Sequence, residues 1–356
     1  MKVVHSVERQ MANKMKAFLF YGPGDIRYEE IDIPKPGPGE MLVQVKAALT
    51  CGTDLKTYRR GHPVMIQRAP TVFGHEFAGV VAELGPGVSG FSVGDRVVAA
   101  NSAPCNRCLF CELERHSLCE NIEFLNGAYA EYVVIPSRIV QQNAMIIPDH
   151  VSFKQAALVE PLACTIHGVE ESSIRLGDTV CVIGAGPVGL MIMKLCKLKG
   201  ARVIAVDKDA KRLAKAEAIA ADECINSSVE SDVVSAVKRL TRGGYGVDVA
   251  IEAAGVPALW ELAIALTRKG GLVNLFGGCE SGTKISVPTE RLHYGELKII
   301  GVFHHTPYYV RRALALISNR AIDPDELITH EMPLSELERA FGLVASGEAL
   351  KVAIIP

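Results

Sequence analysis

Apolar and polar positions change rhythm once along this chain, near Gly177. Before it the apolar runs are short and cut by turn formers: Ala17-Phe18-Leu19-Phe20, Met41-Leu42-Val43-Gln44-Val45, Gly79-Val80-Val81-Ala82-Glu83, Gly94-Asp95-Arg96-Val97-Val98 and Ala130-Glu131-Tyr132-Val133-Val134, with Pro34, Pro36 and Pro38 between the first two. Runs of this kind predict strands joined by Pro- and Gly-rich turns, and so a compact barrel-like β domain. After Gly177, continuous apolar strands at 180–183, 202–207, 247–252, 271–277 and 298–303 alternate with helical stretches, the first of which runs to about Lys199. That alternation predicts a doubly wound parallel sheet, giving an α/β chain. The closing segment predicts helices over 308–318 and around 334–347, then a strand at Lys351-Val352-Ala353-Ile354-Ile355 that returns to the first domain.

Length agrees with this division, because 356 residues exceed what one ordinary core serves. The expected organisation is a first domain over 15–168 completed by 305–356, a second over 169–304, and a loose extension over 1–14 before a natural start at Met15-Lys16-Ala17. A formal charge of -2 on balanced acids and bases removes any bulk electrostatic reason to expect nucleic acid or an anionic membrane, which leaves a small molecule as the expected partner. The uncharged stretch 179–193 is broken by Gly184, Gly186, Pro187 and Gly189 and is too short to span a bilayer. Residues 1–14 carry His5, Glu8, Arg9 and Lys14 and do not read as a secretory signal. Ten cysteines without such a signal point to metal ligands in a reducing compartment, the cytoplasm.

Two groups of metal-ligating residues stand out. Cys105, Cys108 and Cys111 form CxxCxxC, closed by Cys119, and four thiolates so spaced wrap one tetrahedral ion without a vacancy, the pattern of a structural zinc. His116 lies in the same loop but is not needed to complete the shell. The second group is dispersed: Thr50-Cys51-Gly52-Thr53-Asp54, then Gly74-His75-Glu76, then Glu160-Pro161-Leu162-Ala163-Cys164. A thiolate, an imidazole and a carboxylate from separate segments can hold zinc with a position left open, as a catalytic site requires. Cys164, Cys181, Cys196, Cys224 and Cys279 sit at no ligand spacing and read as core, as does Trp260.

The turn Gly184-Ala185-Gly186-Pro187-Val188-Gly189 has a strand before it, a helix after it and Asp207 at the end of the next strand. In that setting GxGxxG is a dinucleotide fingerprint: pyrophosphate approaches the backbone N–H groups at the helix start, and Asp207 accepts hydrogen bonds from the adenosine ribose.

With both zinc patterns and this fingerprint in place, the chain from Met15 to Pro356 resembles the zinc-containing medium-chain dehydrogenases, in their sorbitol (polyol) and threonine dehydrogenase branch. The resemblance implies a GroES-like β-barrel catalytic domain with a zinc lobe, a Rossmann NAD-binding domain, and a homo-oligomer, dimer or tetramer. It implies Cys51, His75 and Glu76 as catalytic zinc ligands, with Glu160 binding the metal directly or through its water; which of Glu76 and Glu160 is the third ligand stays open. Thr53 matches the hydroxyl that takes the substrate proton, and Lys56 stands where the family usually has a relay histidine. Val188, Asp207, Arg212, Leu275, Phe276, Gly277, Val302, Phe303 and His304 match cofactor contacts, and His304 and His305 replace the Arg and Tyr that face substrate in sorbitol dehydrogenases. The implied activity is hydride transfer from a secondary hydroxyl of a polyol, cyclitol or amino-alcohol to NAD.

Two other readings compete. A simple secondary-alcohol oxidoreductase is the first, although the simple alcohol dehydrogenases carry a Cys where Glu160 stands here. A zinc-ribbon module docking a macromolecule would need a basic, aromatic-lined face over 100–120, where Arg107, Arg115 and His116 are instead offset by Glu112, Glu114 and Glu120.

Overall fold

A computed structural model describes residues 14–62, 65, 66 and 68–356; the loose extension expected at 1–14 lies outside the described residues except for Lys14, which opens the strand Lys14–Gly22. The described chain divides into two units, 162–305 and the remainder. That division and the sequence-based boundary at 168 both fall inside one helix, Val159–Glu171.

The first unit is built around the strand Met41–Leu49, buried at Met41, Leu42, Val43 and again from Ala47 to Leu49, with Lys46 turned out. One edge pairs antiparallel with Phe77–Leu84. The other edge is shared: residues 41–44 pair with Tyr132–Ile135, and Ala48 and Leu49 pair with the final strand Lys351–Ile355. The end of the chain thus lies beside the strand that leads into Cys51. Beneath it Phe73, Tyr129 and Phe341 pack edge to face, with ring centroids 5.8 to 6.2 Å apart, so the C-terminal helix Leu337–Ser346 closes the core. Gly74 allows that packing: its φ of +88° disfavours a side chain, and a Cβ there would lie 2.5 Å from the Tyr129 ring.

The second unit carries six parallel strands in the order Glu223–Asn226, Arg202–Asp207, Thr179–Ile183, Val247–Glu252, Thr267–Leu275, Lys298–Gly301. Counted along the chain this is 3-2-1-4-5-6, the dinucleotide-binding arrangement, whose ligands lie at the carboxyl ends of the strands where the order reverses. The apolar runs of Thr179–Ile183 and Arg202–Asp207 are buried almost throughout, as central parallel strands require.

The core assignment needs correction at three cysteines. Cys181 and Cys196 are buried, but Cys164 and Cys279 are only partly so and Cys224 is exposed. Cys224 occupies the edge strand Glu223–Asn226, where alternation turns Ile225 inward and Cys224 out. Trp260 is half-buried and donates Nε1–H to Glu252 Oε2 at 3.0 Å.

Candidate active site

Cys51 ends the approach from Met41–Leu49 and caps the helix Gly52–Arg60, its Sγ accepting the Thr53 N–H at 3.4 Å. His75 and Glu76 follow Gly74 on the neighbouring segment. Cys51, His75 and Glu76 each bring a donor atom within 4.8 Å of the others. Asp54, one helical turn beyond Cys51, is buried and takes His75 Nδ1–H on Oδ1 at 2.7 Å, while its Oδ2 accepts the Tyr129 hydroxyl at 2.6 Å. With Nδ1 committed, Nε2 is the nitrogen left to face a metal, the carboxylate–histidine arrangement that orients zinc-binding imidazoles.

Two buried opposite-charge pairs meet at this focus, His75 with Asp54 and Lys351 with Glu76. Burial alone would push the His75 pKa down, but the Asp54 carboxylate and the Cys51 sulfur outweigh it and hold the ring well above its usual 6.5. Burial pushes Glu76 up, against the pull of Lys351 and His75. Lys351 is buried with its Nζ 2.5 Å from Glu76 Oε2 and 3.0 Å from Thr50 O; burial would lower its pKa, yet Glu76, Cys51 and Glu160 keep it above 10.5. The second Glu76 oxygen, Oε1, is buried with no hydrogen-bond partner. An orphaned carboxylate oxygen beside a thiol and an oriented imidazole fits a divalent cation, which would satisfy all three at once.

Glu160 is buried in the first turn of Val159–Glu171 but lies outside the trio that converges. Thr53 is half-buried, and Lys56, in the same helix, is exposed. Asp54, Tyr129 and Lys351 were not among the residues singled out from the sequence; only Asp54, inside the quoted Cys51 stretch, left a local signal.

The second metal candidate needs no such dispersal. Cys105, Cys108, Cys111 and Cys119 place their sulfurs within 4.8 Å of one another, with Phe110 and Ile122 packed against them. Asn106 and Glu114 adopt positive φ to turn the loop around the cluster. The Arg107 N–H holds the Cys105 thiol down to about 6, whereas burial pushes Cys119 up to about 12. Four thiols in one pocket ionise together only with a cation among them, so this donor set also fits zinc.

In the second unit the three glycines of the fingerprint serve different ends. Gly184 has φ +100°; a Cβ on Gly189 would sit 1.8 Å from the Gly184 carbonyl oxygen; a Cβ on Gly186 would meet nothing within 4 Å. Gly186 caps the helix Pro187–Leu198, and its open side is where a pyrophosphate can approach the backbone. Asp207 is buried and already braces the turn, accepting Ala185 N–H at 2.7 Å and Asp209 N–H at 2.9 Å. A carboxylate has further lone pairs, so a ribose hydroxyl can still be received. Val188 and Arg212 are half-buried in the first turns of their helices. Phe276 and Gly277 donate their N–H groups to Glu252 O, whose own side chain is buried and accepts from Ala254 and Gly255 N–H, a brace the sequence did not announce. Beyond Lys298–Gly301, Val302 is half-buried, Phe303 exposed and His304 held at φ +60°.

Residues 37–149 match the alcohol dehydrogenase GroES-like domain, and residues 187–319 the zinc-binding dehydrogenase domain. The chain belongs to the zinc-binding alcohol dehydrogenases. An erythritol/L-threitol dehydrogenase of Mycolicibacterium smegmatis is 36% identical over 98% of this chain and 100% of the relative. A sorbitol dehydrogenase of Halalkalibacterium halodurans is 35% identical over 94% and 97%. Among solved structures, a zinc-binding dehydrogenase of Sinorhizobium meliloti 1021 bound to NADP superimposes with a TM-score of 0.89 at 33% identity, covering 96% of this chain and 99% of that one. In this dehydrogenase no helix among the described residues is long and apolar enough to cross a membrane.

Proposed function

We propose that this dehydrogenase oxidises a secondary hydroxyl flanked by a second polar group, in a polyol, cyclitol or amino-alcohol, to the ketone with NAD as acceptor. The observation that carries the proposal is the buried Glu76 oxygen without a partner in the Cys51, His75, Glu76 trio. Bound zinc supplies Lewis acidity toward a hydroxyl, and bound NAD a two-electron acceptor. The chain's own residues do the rest. Cys51 and His75 hold the ion, with Glu76 or Glu160 as the carboxylate partner, while Asp54 and Tyr129 fix the imidazole ring. Cys105, Cys108, Cys111 and Cys119 hold the structural ion.

Thr53 relays the substrate proton, accepting it on the hydroxyl oxygen while releasing its own hydroxyl proton outward to solvent. Lys56, exposed on the same helix, serves as a phosphate or ribose contact on the cofactor rather than as an essential base. Gly184, Gly186, Pro187, Val188 and Gly189 cradle the pyrophosphate, and Asp207 with Arg212 serves the adenosine ribose. Leu275 to Gly277 and Val302 to His304 line the nicotinamide end. All ten cysteines are free of disulfides, which fits a reducing compartment such as the cytoplasm; the homo-oligomer, dimer or tetramer, follows from the family resemblance alone.

Glu160 supports the substrate class. A buried carboxylate close enough for Lys351 to respond to its charge offers an acceptor that a neighbouring hydroxyl or ammonium can use, and the erythritol/threitol and sorbitol relatives act on such compounds. An analogue lacking that hydroxyl leaves a buried group unpaired, at a cost of about 1 to 3 kcal/mol. The test compares kcat/KM for a 2,3-diol with the matching 2-alkanol and 1-alkanol, in the wild type and in Glu160→Ala. The diol is expected to lead, and its lead to shrink in Glu160→Ala. Plain alkanols leading in the wild type would replace the polyol assignment with a simple secondary-alcohol oxidoreductase.

A further inference from the structure

One turn of the helix Val159–Glu171 ties down two loops at once. His167 Nδ1 lies 2.8 Å from His304 O, and a carbonyl oxygen only accepts, so Nδ1 carries the proton and donates it. Next to it, Gly168 O accepts from Asn274 Nδ2 at 2.9 Å and from Ser172 Oγ at 2.7 Å, and Asn274 Nδ2 also reaches Ser172 Oγ at 2.9 Å. Asn274 is wholly buried, and it immediately precedes Leu275, Phe276 and Gly277. Gly168 leaves room for the Phe276 ring, which a Cβ at 168 would meet at 2.6 Å.

The two tethered segments continue adjacent parallel strands at their carboxyl ends, where Leu275 pairs with Gly301. His304 is held in the left-handed region, at φ +60°, which a residue with a side chain adopts only when its surroundings impose it. The His167 hydrogen bond is such an imposition: it fixes the plane of the 304–305 peptide and, with it, the course of 302–304.

We infer that His167 is a positioning residue for the nicotinamide end of the cofactor, acting through the His304 carbonyl to hold 302–304 in register with 275–277. This rests on the assignment of those two loops to the nicotinamide. His167 touches neither substrate nor cofactor in this role. Its loss therefore acts on the half of the dinucleotide that these loops face and spares the half held by the glycine turn and Asp207.

ADP-ribose, which lacks the nicotinamide, separates the two halves. Calorimetric titration of NAD⁺ and of ADP-ribose into the zinc-loaded enzyme is compared for wild type, His167→Leu and His167→Asn. His167→Leu is expected to bind NAD⁺ about tenfold more weakly, the scale of one lost hydrogen bond, with ADP-ribose affinity unchanged. His167→Asn keeps an N–H at the Nδ1 position and is expected to recover most of the loss. Equal weakening of both ligands, or unchanged affinity for both, would overturn the inference. If His167→Leu does not fold, His167→Gln carries the test: its amide sits one bond too far along, so a selective but smaller loss of NAD⁺ affinity is expected, and wild-type behaviour overturns the inference. Failure of wild type to bind ADP-ribose would instead remove the dinucleotide assignment on which the inference stands.

Discussion

Lys351 and Glu76 form an ion pair 2.5 Å long in which the two side chains are 4% and 0% exposed. The pair joins the last strand of the chain to the residue beside His75, so the terminal segment acts on the metal site as well as on the barrel. Removing one partner of a buried pair strands the other charge, at a cost of about 3 to 5 kcal/mol. Lys351→Met is expected to lose stability on that scale in denaturant titration, and Lys351→Arg much less. The double variant Lys351→Met/Glu76→Gln should recover a large part, since neither charge is then left alone. A Lys351→Met protein as stable as wild type would mean that the pair contributes nothing there.

Two zinc ions per chain are expected to differ in grip. Four thiolates enclose the lobe site, whereas the Cys51 site offers fewer donors and keeps a coordination position for substrate. A chelator should take the catalytic ion first, ending activity while far-UV circular dichroism is preserved. Elemental analysis that finds one zinc or none in fully active protein contradicts this.

The fingerprint glycines should separate fold from binding. Gly189→Ala drives a Cβ into the Gly184 carbonyl and should destabilise by about 1 to 3 kcal/mol or prevent folding. Gly186→Ala meets no protein atom, so its melting temperature should stay near wild type while NAD⁺ affinity falls. Unchanged NAD⁺ affinity in Gly186→Ala would place the pyrophosphate elsewhere.

NAD⁺ should be preferred over NADP⁺, even though the Sinorhizobium structure holds NADP. A 2′-phosphate beside the Asp207 carboxylate sets like charges in contact, a penalty that corresponds to about a hundredfold in kcat/KM. Asp207→Asn removes the charge, so the gap should narrow, but its single carbonyl oxygen can serve only one of the Ala185 and Asp209 N–H groups, so some stability is lost with it. A higher kcat/KM with NADP⁺ in the wild type refutes the preference.

The sequence alone determined whatever depends on neighbours a few positions apart. CxxCxxC places three thiols in one loop, GxGxxG sits in its own strand-turn-helix, and the change from short broken strands to continuous ones separates barrel from parallel sheet, because strand and helix periods are local properties of the chain. Cys51 and His75 were legible through their motifs. Their supports were decided by tertiary structure: Tyr129 is 75 positions from Asp54, His304 is 137 from His167, and Lys351 is 275 from Glu76. No periodicity links residues so far apart. Only packing brings them within hydrogen-bond reach, and only burial makes a lysine, a tyrosine or a second histidine consequential there, since in water the same contacts would be worth little.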